Sequence, residues 1–298
     1  MVLVRAHHMA TLTLSLFGHP QLALDGVPLA ITSNKALALL YYLAVNGQRY
    51  TRQSLAGLLW AELSEEDARR NLRVEVNKLQ SLHPWLIIER DTLAFDRQTS
   101  FVLDVDEIER LAQQREPTVS QLQAAVSLCR GQFLEDFWVQ RAPNFEEWLE
   151  PIRYRLGQLA AQVVIQLARA YTAQRQSNAE AEAAIRRLLS WDSAQEEAHQ
   201  ELMKLLALSG KQADALRQYD LLSDSLHREL DILPSEASDL LYDAIARGEY
   251  EPVQVTRARI VPLPAPISAA TLPSKLAPAP FLAPSKSSQF IGREEFYI

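Results

Sequence analysis

The chain has 298 residues, 48% of them apolar, and 30 Lys and Arg against 37 Asp and Glu give a net charge of -7. This length is typical of two ordinary domains, and the apolar content excludes a wholly disordered chain. A single cysteine, Cys129, excludes a disulfide framework and a cysteine-based zinc site, and fits a reducing compartment. No apolar run approaches the roughly 20 residues that cross a bilayer, and no signal peptide is evident. We expect a soluble, cytoplasmic protein without membrane contact.

The negative charge is unevenly distributed along the chain. Residues 1–103 hold 10 basic and 9 acidic residues, whereas residues 104–250 hold 15 and 25. Residues 251–298 hold 5 and 3. The acidity therefore belongs to the middle segment, and the overall charge does not argue against nucleic-acid binding by the first hundred residues.

The first hundred residues predict strands around three short helices. Apolar alternation predicts strands from Leu12 to Leu16 and from Leu22 to Leu29, the second interrupted by an Asp25-Gly26 turn. Helical periodicity and capping residues then predict helices from Asn34 to Asn46, from Thr51 to Trp60 and from Ser64 to about Leu82. Three further strands are predicted at Leu86 to Ile88, Leu93 to Phe95 and Phe101 to Leu103, with a polar tip at Glu89 to Asp91. This layout is that of a winged helix over residues 12–103, after a flexible N-terminus over residues 1–11.

Residues 104–250 have helical periodicity nearly throughout. The predicted helices are Val105 to Gln114, Val119 to Phe133, Pro143 to Gln174, Ala179 to Ser190, Gln195 to Leu208, Lys211 to Leu226 and Glu236 to Arg247. Two similar alanine-rich stretches begin at Ala179 and Gln212. Their separation of about 33 residues is close to the period of tetratricopeptide repeats. The periodicity alone fits a tetratricopeptide-like array or another helical bundle equally well.

The end of the chain changes character. Eight of the 15 prolines fall in residues 251–288, which predicts an extended linker. Residues 289–298 are too few to fold alone, and we interpret them as the start of a further module. No glycine-rich run ending in Gly-Lys-Ser or Gly-Lys-Thr is present, so no phosphate-binding loop is predicted.

The third predicted helix has the residue types expected of a DNA-recognition helix. Between Ala68 and Leu82 it holds four basic residues and one acid. Arginine or lysine can pair with guanine, asparagine with adenine, and valine can touch a thymine methyl. The candidate DNA-binding residues on this helix are Arg69, Arg70, Arg73, Val74, Asn77, Lys78 and Ser81. Thr51 and Arg52, at the start of the preceding helix, are expected to meet phosphates. The alternative is an ordinary solvated helix face.

Other candidate sites are weaker. The histidines lack a paired carboxylate at ligand spacing, so no metal site and no cofactor are predicted, and no catalytic constellation is evident. Cys129 is expected to be a core-side thiol. Three tryptophans, Trp138, Trp148 and Trp191, are expected to pack between helices rather than to bind a ligand.

Several stretches, taken in order, resemble known regulators. Residues 12–103 resemble the OmpR-type winged-helix domain, and the run from Ala68 to Leu79 resembles the recognition helix of Streptomyces antibiotic regulatory proteins. Residues 104–250 resemble the bacterial transcriptional activation domain of those proteins. The matching residues are Gly131 with Phe133-Leu134, Trp148 with Arg153 to Leu156, Glu197 to Gly210, Ala213 to Tyr219, and Glu229-Leu230 with Pro234-Ser235. The final ten residues resemble the opening of the nucleotide-binding module in large regulators of this class.

The resemblance implies a mainly α fold with a small β component, a winged helix followed by a tetratricopeptide-like helical domain. It also implies a non-enzymatic transcriptional regulator, expected to be an activator, that binds direct repeats in promoters. The helical domain would serve self-association or contact with RNA polymerase. Two alternatives stay open: an interaction scaffold whose winged helix has lost DNA binding, and the regulatory front of an NTPase.

Overall fold

The strands and helices follow from the local patterns above, with a few informative exceptions. The computed structural model describes residues 10–250. Most of the predicted N-terminal segment 1–11, the predicted linker 251–288 and the predicted start of a further module at 289–298 lie outside the described residues. We refer to residues 12–103 as the winged-helix region and to residues 104–250 as the helical region.

The winged-helix region contains two small sheets and three helices. Its elements are β1 (Leu12–Ser15), β2 (Gln21–Leu24), β3 (Val27–Pro28), α1 (Asn34–Asn46), β4 (Tyr50–Thr51), α2 (Arg52–Leu59), α3 (Glu65–Lys78), a 3-10 turn (Gln80–Trp85), β5 (Leu86–Ile88), β6 (Thr92–Phe95) and β7 (Phe101–Leu103). One sheet has the strand order β3-β2-β1-β7, and the other the order β4-β6-β5. The hairpin β5-β6 is antiparallel, with Ile88 opposite Leu93, and it forms the wing.

The helical region is built from seven helices. They are α4 (Asp104–Ala112), α5 (Val119–Leu128), α6 (Pro143–Thr172), α7 (Ala179–Trp191), α8 (Glu196–Leu208), α9 (Gln212–Leu230) and α10 (Glu236–Ala246). Helix α8 packs on α6, α7 and α9 and is almost entirely buried, while α10 packs on α9 and α8. This sequential packing matches a tetratricopeptide-like array. The predicted mainly α fold class, with a winged helix ahead of a helical domain, is confirmed.

Helix α3 is shorter than predicted. We expected a helix from Ser64 to Leu82, but α3 ends at Lys78 and a 3-10 turn containing Ser81 follows. Pro84 lacks a backbone N–H and disfavours the α conformation in the residue before it. The chain therefore tightens into a 3-10 turn that contains the proline instead of continuing the α-helix.

Two other helix ends also differ from the prediction. Helix α5 ends at Leu128 rather than Phe133, because Phe133 leaves the helix to form an antiparallel bridge with Phe17. Helix α9 continues past Leu226 to Leu230, and Asp231, in the left-handed conformation with φ of 54°, ends it. Long-range pairing in the first case and a turn residue in the second decide these ends.

The two regions share one hydrophobic core. Helix α4 begins at Asp104, directly after β7 ends at Leu103, with no linker between them. The Asp104 carboxylate accepts hydrogen bonds from the backbone N–H groups of Leu16 (2.6 Å) and Phe17 (2.9 Å), just past β1. The backbone N–H of Leu134 donates to the carbonyl of Leu16 at 2.8 Å. The helical region is thus joined to the end of β1 by backbone and side-chain hydrogen bonds.

Aromatic residues fill the rest of this contact. The rings of Tyr41 and Phe137 lie 5.3 Å apart, and those of Tyr42 and Trp148 lie 4.9 Å apart. Trp148 and Trp191 pack against the common core as expected. Trp138 does not: it is 62% exposed, so the expectation that it packs between helices is wrong. The segment around Trp138 runs along the surface of the winged-helix region, where the Trp138 carbonyl accepts a hydrogen bond from the Asn34 amide at 3.0 Å.

Candidate nucleic-acid interface

Helix α3 presents one buried and one exposed face. The Ser64 hydroxyl caps it by accepting a hydrogen bond from the backbone N–H of Asp67 at 3.2 Å. Acids in the first turn and Lys78 in the last favour the helix dipole. The buried face consists of Ala68, Leu72 and Val76. The predicted DNA-binding residues of α3 lie on the remaining, exposed surface of the helix.

A groove of about 670 Å³ runs between α3, the start of α2 and the wing. Its lining includes five of the predicted site residues: Thr51, Arg52, Arg69, Arg73 and Asn77. It also includes Arg90 at the wing tip and His83, which the sequence reasoning missed. With four arginines and a single acid, Asp91, this basic groove has the charge that a phosphate backbone requires. The polar hairpin tip in the sequence was the signal that could have identified Arg90.

The other predicted residues lie outside the lining of the basic groove. Arg70, Lys78 and Val74 are exposed on α3, and Val74 is 49% exposed. Ser81 is exposed on the 3-10 turn rather than on the helix, so it does not continue the α3 surface with helical spacing. The structure thus brings five of the nine residues together and leaves four on adjoining surface.

Acidic neighbours offset much of the charge on α3. Arg69 pairs with Glu65 at 2.8 Å, Arg70 with Asp67 at 2.6 Å, and Lys78 with Glu75 at 2.8 Å. Over its observed bounds α3 carries four basic and four acidic residues, since the count from Ala68 left out the three acids of the first turn. The Arg69 and Arg70 pairs are exposed on both sides, and such pairs are worth about 1 kcal/mol or less, so phosphates can displace them at small cost.

Arg73 differs from its neighbours on α3. Among residues 10–250, its guanidinium forms no ion pair and no side-chain hydrogen bond, and it faces the basic groove. Asn77 lies one turn further along the same stripe. An unpaired arginine and an amide one turn apart are the donors that recognise guanine and adenine edges. We therefore regard Arg73 and Asn77 as the centre of the candidate interface.

Arg52 holds the wing in place. Its guanidinium donates to the backbone carbonyl of Glu89 at 3.2 and 3.1 Å, and its backbone N–H donates to the backbone carbonyl of Asp91 at 2.9 Å. The Glu89 carboxylate pairs with Arg49 and accepts a hydrogen bond from the Thr92 hydroxyl at 2.8 Å. These two partners, Arg49 first, hold the pKa of Glu89 below its usual range. The wing is thereby fixed against the start of α2, which positions Arg90 beside α3.

Thr51 caps helix α2, as predicted. Its side-chain oxygen accepts a hydrogen bond from the backbone N–H of Ser54 at 3.1 Å. The first turn of α2, with exposed Thr51 and Gln53, forms one wall of the basic groove. A helix start of this kind presents backbone N–H groups and favours anions.

The family comparison concerns the helical half of the chain. Residues 99–246 match the bacterial transcriptional activator domain. The match begins two residues before β7 and ends with the last residue of α10, so it covers the whole helical region except its final residues. This domain is a component of transcription regulators, which agrees with the resemblance drawn from the sequence. Helix α3 lies before residue 99, outside the matched range.

The structural comparison covers more of the chain. The structure is similar to one described as Mycobacterium tuberculosis EmbR in complex with low affinity phosphopeptide, with a TM-score of 0.58 and 22% sequence identity. The alignment covers 80% of this chain and 65% of that chain, and at this identity the likeness concerns the fold alone. No curated protein matches the sequence significantly.

Within residues 10–250, no helix is both long and apolar enough to span a bilayer. The same residues contain no cluster of three or more histidine, cysteine, aspartate or glutamate side chains arranged to hold a metal ion.

Proposed function

We propose that the chain is a sequence-specific DNA-binding regulator of transcription that acts by binding rather than by catalysis. Helix α3 lies in the major groove, with Arg73 and Asn77 at base edges and the wing beside the DNA backbone. The basic groove carries this proposal, because it joins the one unpaired arginine of α3 to Arg90 and the α2 N-terminus. The adjoining activator-domain match supports a role in transcription.

The sequence resemblance extends this proposal to the target and the partner. The chain binds direct repeats in a promoter as a side-by-side pair, and the helical region supports activation through self-association or contact with RNA polymerase. The charge distribution is compatible with DNA binding by the winged-helix region and protein binding by the helical region. The near-neutral winged-helix region carries the basic groove, whereas the acidic helical region would be repelled by DNA and is left to bind protein.

A pair of alanine variants in the basic groove tests DNA binding. The wild-type chain is first used to select duplexes from a random pool, which identifies the operator. Arg73→Ala and Arg90→Ala are then compared with wild type on that operator across a salt series. Each change is expected to weaken binding by about 5-fold to 150-fold, equivalent to 1–3 kcal/mol. Each lost phosphate contact also lowers the slope of log affinity against log salt by about 0.9.

Arg186→Ala and Arg217→Ala are matched controls. Both arginines are exposed on helices of the helical region and pair with an acid on the same helix. They should leave DNA affinity unchanged. If the groove variants fold normally and bind as tightly as wild type, the winged helix does not read DNA, and the interaction scaffold becomes the better interpretation.

A further inference from the structure

A second groove, which shares no lining residue with the basic groove, lies where the two regions meet. We call it the junction groove, and its volume is about 680 Å³. Its principal lining residues are Lys35, Trp60, Glu62, Glu75, Trp138 and Arg141. The first four belong to the winged-helix region and the last two to the helical region. The groove therefore exists only while the two regions are packed together. Its volume is that of a small-molecule site.

Two indole rings give the junction groove aromatic walls. Trp138 is 62% exposed, an unusual position for the largest apolar side chain, and no other described aromatic ring stacks on it. Trp60 lines the groove from the other region but is only 8% exposed, and the Lys35 ammonium lies 4.6 Å from the centre of its ring, so Trp138 supplies the exposed indole surface. Exposed indole surface beside a cavity favours binding of flat apolar rings.

Two cations lie beside these rings. The Lys35 ammonium donates to the carbonyl of Leu59 at 2.6 Å, which uses one of its three protons. The Arg141 guanidinium forms no ion pair or side-chain hydrogen bond within residues 10–250. Burial lowers the pKa of Lys35, the negative charges of Glu75 and Glu62 raise it, and the positive charge of Arg141 lowers it. Both cations line the junction groove, so an anion within the groove is attracted by both.

The backbone that carries Arg141 is strained. Arg141 has a φ of 53°, and Leu134 and Asp136, in the same segment, have φ of 49° and 55°. Left-handed conformations in residues other than glycine cost of order 1 kcal/mol or more and concentrate at functional sites. These three left-handed residues fall within eight positions, in the segment that carries the exposed Trp138 and Arg141. We interpret this as a backbone shaped to present those two side chains.

Two carboxylates restrict the kind of anion. Glu75 is held by the Ser33 hydroxyl at 2.5 Å and by Lys78 at 2.8 Å, and Glu62 also lines the junction groove. A doubly charged phosphate would meet repulsion from both acids. A carboxylate carries a single charge and fits the planar fork of a guanidinium through two parallel hydrogen bonds.

We propose that the junction groove binds a small aromatic carboxylate, with its ring against Trp138 and its carboxylate held by Arg141 and Lys35. Because both regions line the groove, such a ligand stabilises their packing by mass action. Glu75 lies on α3, so an occupied groove touches the helix that we assign to DNA. This site is independent of the proposed function, and binding of the ligand can be measured without DNA.

Calorimetry with 2-naphthoate tests the proposal, and 2-naphthamide, of the same shape but uncharged, is the matched ligand. The full chain should bind 2-naphthoate at one saturable site and bind the amide at least tenfold more weakly. Arg141→Gln and Trp138→Ala should each weaken 2-naphthoate binding at least tenfold. Both positions are exposed, so folding should be retained, which an unchanged thermal midpoint without ligand verifies.

Two control variants locate the site. Arg217→Gln removes an exposed arginine, and Tyr154→Ala removes an aromatic ring that is 72% exposed, both away from the junction groove. These variants should bind 2-naphthoate as wild type does. The proposal is overturned by absence of saturable binding at millimolar 2-naphthoate, by equal binding of the amide, or by unchanged binding in both groove variants.

Discussion

Replacing Asp104 by asparagine probes the bond that joins the two regions. Asp104 is 2% exposed, and its Oδ2 accepts the backbone N–H groups of Leu16 and Phe17. Its Oδ1 is buried and has no hydrogen-bond partner among the described residues. Burial is the main influence on this carboxyl, and it outweighs the two backbone bonds and the charge of Arg130, so that the pKa of Asp104 is raised to about 6.

The raised pKa makes the stability of the junction depend on pH with a definite sign. The ordinary aspartate value is 3.8, so the folded chain binds this proton more tightly by about 2 pKa units, equivalent to about 3 kcal/mol. Between pH 4 and 6 the folded state holds more of this proton than the unfolded state does. The contribution of Asp104 to the free energy of unfolding therefore falls as pH rises through that window, and is constant above it.

Urea denaturation of wild type and Asp104→Asn from pH 4 to pH 7.5 measures this effect. Asparagine does not titrate, so the wild-type stability should fall by about 2.4 kcal/mol relative to the variant between pH 4 and pH 7.5, because the unfolded state has already lost part of this proton at pH 4. Any cost of the new amide adds only an offset that is independent of pH. Asp224→Asn, at an exposed position, corrects for removal of a charge by itself. A difference that stays flat, or that grows in favour of wild type as pH rises, would refute the reasoning.

Four further predictions concern local packing. Cys129 is 2% exposed and burial raises its pKa to about 12, so a disulfide reagent should label it only as fast as the chain unfolds; prompt labelling of the native protein would contradict this. Gly131→Ala would place a methyl carbon 2.9 Å from the Cα of Gly18 and should lower the free energy of unfolding by about 1–3 kcal/mol. Gly57→Ala, with open space around it inside a helix, should instead be neutral or stabilising in the same urea titration. Ser64→Ala removes the α3 cap and should cost about 1 kcal/mol, and a loss below the error of the titration would argue against the cap.

Much of the fold was predictable because its signals are local. Apolar alternation predicted β1 and β2, and the capping residues Thr51 and Ser64 marked the starts of α2 and α3. Other features could not be predicted because distant parts of the chain decide them. Nothing near Phe133 signals that it will pair with Phe17, and nothing near β7 signals its parallel pairing with β1. Strand pairing between distant residues depends on the whole core, so a sequence window cannot reveal it.

The candidate interface was predictable in its residues but not in its electrostatics. Helical spacing alone places Arg69, Arg73 and Asn77 on one stripe, and the structure has all three in the basic groove. Spacing does not show that Arg69 is paired while Arg73 is free, because side-chain pairing depends on rotamers and on the helix bounds. Nor does it show Arg90 opposite α3, since the wing must first fold back onto α2.

The shared core bears on how such a regulator would work. A flexible linker would let the helical region take many orientations relative to bound DNA. The effective concentration of the helical region at a bound partner would then be lower. Here α4 follows β7 without a linker, and the Phe17–Phe133 bridge and the Tyr42–Trp148 contact fix the helical region from two more sides. Its orientation relative to α3 is therefore set by the fold. On direct repeats, successive copies would present their helical regions in one fixed direction, so the repeat spacing would decide whether neighbouring copies can touch.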